Sequence, residues 1–169
     1  MTSKADFTDE EWERLGRAPL VAAIAISLAD PGGPIETVKE SSAALKTVLE
    51  AANDGGFGGF VRSVASDVAA KAGRRENPLA GFTPARRHAL DDVLNELRGV
   101  NDLLAEKAAP EEIDEFVEWL RVASQRAALA AKEGGFLGIG GKLVSEREQQ
   151  MLETLGEIFG VPRPPQAGG

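Results

Sequence analysis

Pro19-Leu20-Val21-Ala22-Ala23-Ile24-Ala25-Ile26 is the longest apolar run in the chain. It sits inside a pattern of helical spacing, Trp12, Leu15, Pro19, Ala22 and Ile26. A helix that is apolar on every side has to lie at the centre of a domain, covered by other helices. The run is also far short of the ~20 residues needed to span a bilayer. The expected architecture is a bundle organised around a buried first helix. Pro19 removes one backbone donor and crowds the preceding turn, so that helix is expected to kink or break near Gly16 to Ala18.

Outward from this run, punctuation marks the remaining helices. Thr8 with Glu11 has the spacing of a capping box at the first helix start, and Ser145 with Glu148 repeats it near the other end of the chain. Asp30-Pro31-Gly32-Gly33-Pro34 stops the first helix and opens the second, with Pro34 in the first turn. The second carries the stripe Ile35, Val38, Leu45, Val48, Leu49 and Ala52, and a third carries Phe60, Val61, Val64, Ala65 and Val68. Gly73 to Gly81 reads as a loop. Thr83-Pro84 predicts the start of a fourth helix with Leu90, Val93, Leu94, Leu97, Val100 and Leu104 on one face. Pro110-Glu111-Glu112 opens a fifth, its acids at the positive end of the helix dipole, with Ile113, Phe116, Val117, Leu120, Ala123, Ala127 and Ala130 as its stripe. Met151, Leu152, Leu155, Ile158 and Phe159 form the sixth, closed by Gly160 and Pro162. No segment alternates with period two. The expectation is an all-α, single-domain bundle of about six helices over residues 1–162, followed by a disordered tail, 163–169.

Two loops do something a plain bundle does not require. Ala51-Ala52-Asn53-Asp54-Gly55-Gly56-Phe57 and Ala130-Ala131-Lys132-Glu133-Gly134-Gly135-Phe136 share one order of residue types, and the second continues as Leu137-Gly138-Ile139-Gly140-Gly141. A glycine in the left-handed position after a helix, with the next apolar residue folded back, accounts for Phe57 and Phe136. Leu137 and Ile139 are surplus to such a cap. The segment 134–141 is therefore the candidate contact with a protein partner, with Phe136, Leu137, Ile139 and Phe57 as the interaction residues.

Composition narrows the function classes. The chain has 169 residues, 43% hydrophobic, with no cysteine, one histidine and a net charge of −8. Absence of cysteine rules out disulfides, thiolate metal sites and a cysteine nucleophile, and fits a reducing, cytoplasmic compartment. The acidic balance argues against nucleic acid, whose affinity rests on Lys and Arg. Aromatic content of 5%, with no tyrosine, also supplies few stacking platforms. Self-association and contact with a membrane surface are the other associations left open.

Catalytic constellations are thin. His88 stands three and four residues before Asp91 and Asp92, the spacing of a helical ion pair. A di-iron carboxylate bundle needs Glu-x-x-His on two helices, and Ala85 stands three residues before the lone histidine. Gly138-Ile139-Gly140-Gly141-Lys142-Leu143 lacks the Gly-Lys-Ser/Thr ending and the preceding strand of a phosphate loop. A non-enzyme without cofactor is expected.

Phe7-Thr8-Asp9-Glu10-Glu11-Trp12, Ala18-Pro19, the apolar helix ending at Asp30, and Val144-Ser145-Glu146-Arg147-Glu148 resemble the tellurite-resistance TerB-like helical proteins of bacteria. The resemblance implies an all-helical protein of similar size, linked to stress responses and metal-dependent signalling. A cation site carried over from it would keep Asp30 with Glu36 or Glu40. Gly141-Lys142 stands where the second acidic turn would fall, so that half of the acidic pattern is missing.

Overall fold

The computed structural model describes residues 1–29, 34–53, 56–132 and 145–160, and within helices the side chains of 34–42 and 131–132 lie outside the description. Six α-helices follow a short 3-10 turn at Lys4–Asp6: α1 (Asp9–Ala29), α2 (Pro34–Ala52), α3 (Gly59–Gly73), α4 (Ala89–Lys107), α5 (Pro110–Lys132) and α6 (Glu146–Gly160). Among the described residues there is no strand, and no helix is long and apolar enough to cross a membrane. The all-α bundle is as the hydrophobic periodicity requires.

Helix α1 packs against each of the other five helices. Leu20 to Ala23, Ala25 and Ile26 are all buried, as the uninterrupted apolar run demands. Of the two outcomes expected at Pro19, a break is not found: α1 is one helix with the proline inside it. Proline removes a single donor, the one that would bond the carbonyl four residues back. Ending the helix there would strand a whole turn of buried backbone groups, at greater cost.

The two halves of α1 serve different parts of the core. Its first half supplies Trp12, Leu15 and Ala18 to a cluster with Phe60, Val64, Val100, Leu104, Phe116 and Trp119. A string of rings runs through it: Phe7 to Phe60 at 5.9 Å, Phe60 to Phe116 at 5.9 Å, and Phe116 to Trp119 at 5.3 Å, edge to face. The second half supplies Val21, Ala22, Ala25 and Ile26 to a cluster with Val93, Leu97, Met151, Leu155 and Ile158. Both tryptophans are core anchors, Trp12 with its indole N–H donated to Asp67 at 2.8 Å.

The helix starts show the expected chemistry, with one displacement. The Glu11 amide donates to Thr8 Oγ1 at 3.2 Å while the Thr8 amide donates to Glu11 Oε2 at 2.7 Å. Ser145 and Glu148 reproduce this at 3.1 and 2.7 Å. The expected start of α4 at Thr83-Pro84 is wrong, because the helix begins at Ala89 with His88 at its N-cap. Asp92 accepts the Ala85 amide at 2.7 Å, and the His88 amide bonds the Ala85 carbonyl at 3.0 Å. These bonds hold 85–88 in a turn and leave Thr83 outside the helix. The N-terminal segment is tied to the start of α5, the Thr2 amide donating to Glu112 Oε1 at 2.8 Å.

Candidate functional site

Helices α5 and α6 each present an amphipathic stripe, and the two stripes do not close on one another. Between them runs a groove of about 280 Å³, floored by Ala22 of α1 and walled by Val117 and Leu120 of α5 and Leu152, Leu155 and Phe159 of α6. Leu120 and Leu155 are buried, whereas Val117, Leu152 and Phe159 are half-buried and turn part of their surface to the opening. Ser124 lies in the lining with its hydroxyl already donated to the Leu120 carbonyl at 2.8 Å, so it presents little unsatisfied polarity. The groove can hold apolar side chains, and Arg121, Gln125, Gln149 and Glu153 add polar groups around it.

Gly156 stands in the wall of this groove, exposed, in the interior of α6. A Cβ at that position would meet nothing within 4 Å. Among the described residues no contact calls for glycine there. Its effect is to leave the wall low. The same probe at Gly16 gives the opposite answer, 2.9 Å from Val68 Cγ2, so Gly16 is required for α1 and α3 to approach.

The charged groups at the mouth are unevenly neutralised. Arg121 on the α5 wall donates from Nε to Glu118 Oε2 at 2.6 Å, one turn back on its own helix. Glu153 on the α6 wall receives only the Gln149 side-chain amide, at 3.3 Å, among the described residues. Glu157, one turn further along, is exposed and has no ion pair among the described residues.

The residues singled out in the sequence fall elsewhere. Phe57 is half-buried and packs on the cluster around Trp12 and Phe60. Gly56 before it has φ +81°, left-handed as expected, but it stands four residues beyond the end of α2 at Ala52 and so is not the cap of that helix. Phe57 also lines a second cavity, of about 350 Å³, with Thr47, Glu50, Val122 and Arg126. That cavity is the more polar of the two, and Arg126 and Glu50 bind each other across it. Phe136, Leu137 and Ile139 lie outside the described residues, as does Asp30, and the side chains of Glu36 and Glu40 lie outside them too. Among the described residues no group of three His, Asp or Glu is placed to hold a metal ion. His88 is exposed, its Nδ1 4.0 Å from Asp91 Oδ2, while Asp92 is turned to the Ala85 amide.

A third cavity, of about 180 Å³, lies beside Trp12 and Asp67. Burial pushes the Asp67 carboxyl up, and the Lys4 ammonium and Trp12 indole outweigh it, holding it below the usual carboxylate range. Lys4 lies 2.7 Å from Asp67 and Lys71 lies 2.7 Å from Glu13, so the charges here are used internally.

Comparison with protein-family models, with curated proteins and with solved structures finds no match.

Periodicity counted Val117, Leu152 and Phe159 with the core, because a helical stripe records which face is apolar and not whether another helix covers it. The signal that could have marked the groove is Gly156, a glycine interrupting a good helical pattern without a cap or turn to justify it.

Proposed function

We propose that this protein is a non-catalytic helical interaction protein that offers an apolar surface to a protein partner. The observation that carries the reading is the open groove between α5 and α6, whose exposed surface is mostly apolar, from Ala22, Val117, Leu120, Leu152, Leu155 and Phe159. Exposed apolar concavities of this kind mark association sites more often than catalytic ones when few polar groups converge in them. The glycine-rich segment 134–141, which joins α5 to α6 in sequence, is the second part of the proposed surface, with Leu137 and Ile139 as its contact residues. The bacterial TerB-like resemblance agrees with a helical signalling or stress-response component. Its cation-responsive form rests on Asp30 with Glu36 or Glu40, and no structural observation favours it.

Absence of cysteine allows a direct test. Single cysteines placed at Gly156 and Ile139, and at exposed Asp91 as a control, would each carry a photo-crosslinker in the source cell. The reading expects one partner captured from Gly156 and Ile139 and not from Asp91. It also expects Leu137→Ser and Ile139→Ser to weaken capture from Gly156 without lowering the melting temperature. Leu152 also packs on the Met151, Leu155 and Ile158 cluster, so Leu152→Ser should weaken that capture with some loss of stability. Equal capture from all three positions, or none from any, would overturn it.

A further inference from the structure

We propose that the α5–α6 groove docks an amphipathic α-helix of a partner protein, apolar on the docking face and bearing Lys or Arg beside it. This rests on the interaction reading above and adds the partner's shape and charge.

The shape follows from hydrogen bonding. Both walls are helices whose backbone N–H and C=O groups are bonded within themselves, and most of the exposed lining surface is apolar, with Arg121, Gln125, Gln149 and Glu153 around it. An extended peptide laid here would bury its backbone without partners, because no strand edge is present among the described residues to receive it. A helix brings its own hydrogen bonds and needs only apolar side chains for the groove. Gln149 to Phe159 spans about 15 Å of α6, room for about three turns of a docked helix with anchors at i, i+4 and i+7. Gly156 falls within that span with open space above its Cα, which lets a helix backbone come close to α6. Glycine is the poorest helix former after proline, and no contact among the described residues explains it here.

The charge follows from what is left unneutralised. Arg121 is spent on Glu118, whereas Glu153 and Glu157 sit one turn apart on either side of Gly156, exposed and without a cation among the described residues. Like charges at this spacing repel. Lys or Arg on a docked helix would neutralise both. A second copy of this chain would instead bring the same two acids to the groove, on a body already carrying −8. Charge therefore favours a basic partner over self-association.

The test uses the full chain and a dye-labelled synthetic peptide of eighteen residues, as order-of-length for five turns, built from Leu on one helical face and Lys elsewhere. Its counterpart has Glu in place of Lys. Fluorescence anisotropy would compare wild type, Glu153→Lys with Glu157→Lys, Gly156→Leu, and a charge-matched control, Asp102→Lys with Glu106→Lys, on α4, which does not line the groove. Wild type and control should bind the Leu/Lys peptide alike. The charge reversal and the Gly156 variant should each weaken it by about tenfold or more, and the Leu/Glu peptide should not bind. Should Gly156→Leu fail to melt cooperatively, Gln149→Trp supplies the block.

A charge reversal no more harmful than the α4 control would overturn the basic partner. If the blocked groove still lost binding in that case, the interaction reading would survive. Binding that persists through the blocked groove would overturn both. A wild-type dimer in sedimentation that Gly156→Leu converts to monomer would make the occupant a second copy and would also overturn the proposal.

Discussion

Arg17 and Glu96 are buried against each other, Nη2 of the arginine 2.7 Å from Oε1 of the glutamate, joining α1 to α4. Glu96 Oε2 is taken by Arg14, at 2.7 Å from Nη2 and 3.1 Å from Nε, so each arginine claims one carboxylate oxygen. Arg17 Nη1 also donates to the Ala80 carbonyl at 3.1 Å. Gly81 follows with φ +82° and little space above it, since a Cβ there would lie 3.2 Å from Arg17 Nη1. One side chain thus ties two helices and the turn between α3 and α4.

Arg17→Met strips Glu96 Oε1 of its buried partner while Arg14 still holds Oε2. The cost is therefore expected at about 3 kcal/mol, the low end for breaking a buried pair. Glu96→Leu added to it should recover a substantial part, because the uncompensated charge then disappears. Guanidinium denaturation midpoints of the single and double variants check this, and a double variant no more stable than Arg17→Met would show that the pair is not coupled.

Burial pushes the Glu96 carboxyl up, and the Arg14 and Arg17 guanidiniums outweigh it, leaving it below the usual carboxylate range. A group whose folded value is depressed adds stability that is complete above its unfolded value, about 4.3. That contribution is lost as pH falls through the folded value. Wild type should therefore weaken as pH falls from about 5 through and below the usual carboxylate range. Glu96→Gln should start weaker at neutral pH and lose less over the same window. Urea midpoints measured across that window would contradict this if the two curves stayed parallel.

Thr8 and Ser145 each accept an amide and are answered by a glutamate three residues on. Thr8→Ala and Ser145→Ala should each destabilise by about 1 kcal/mol. Thr8→Ser should be close to neutral, since the accepting oxygen is retained. Unchanged midpoints in both alanine variants would remove the capping account.

The glycines at 16 and 156 predict opposite signs for the same substitution. Gly16→Ala meets Val68 Cγ2 at 2.9 Å, a β-branched side chain with little freedom to move, and should destabilise on the order of 1 kcal/mol. Gly156→Ala meets nothing, lies in a helix interior, and should stabilise by about 0.5–1 kcal/mol. Thermal melts of the pair decide it; a loss at both positions would mean that Gly156 is held for a reason inside the protein.

Local residue patterns specify the helical class, the burial of Leu20 to Ala23, Ala25 and Ile26 in α1, and the starts of α1, α2 and α5 at Thr8-Asp9, Pro34 and Pro110. These depend on periodicity, capping and proline, which act within one or two turns. Local signals misled at Thr83-Pro84, where the Asp92 carboxylate takes the Ala85 amide and holds the chain in a turn. Tertiary structure alone decided that Arg17, between Gly16 and Ala18, would be buried, because its partner Glu96 stands 79 positions along the chain. It alone assembled Phe7, Trp12, Phe60, Phe116 and Trp119 into one string of rings from three helices and the segment before them. It also left Val117, Leu152 and Phe159 open to the groove. A stripe specifies a face that avoids water, and which neighbour covers it, or whether any does, depends on how six helices share a single core.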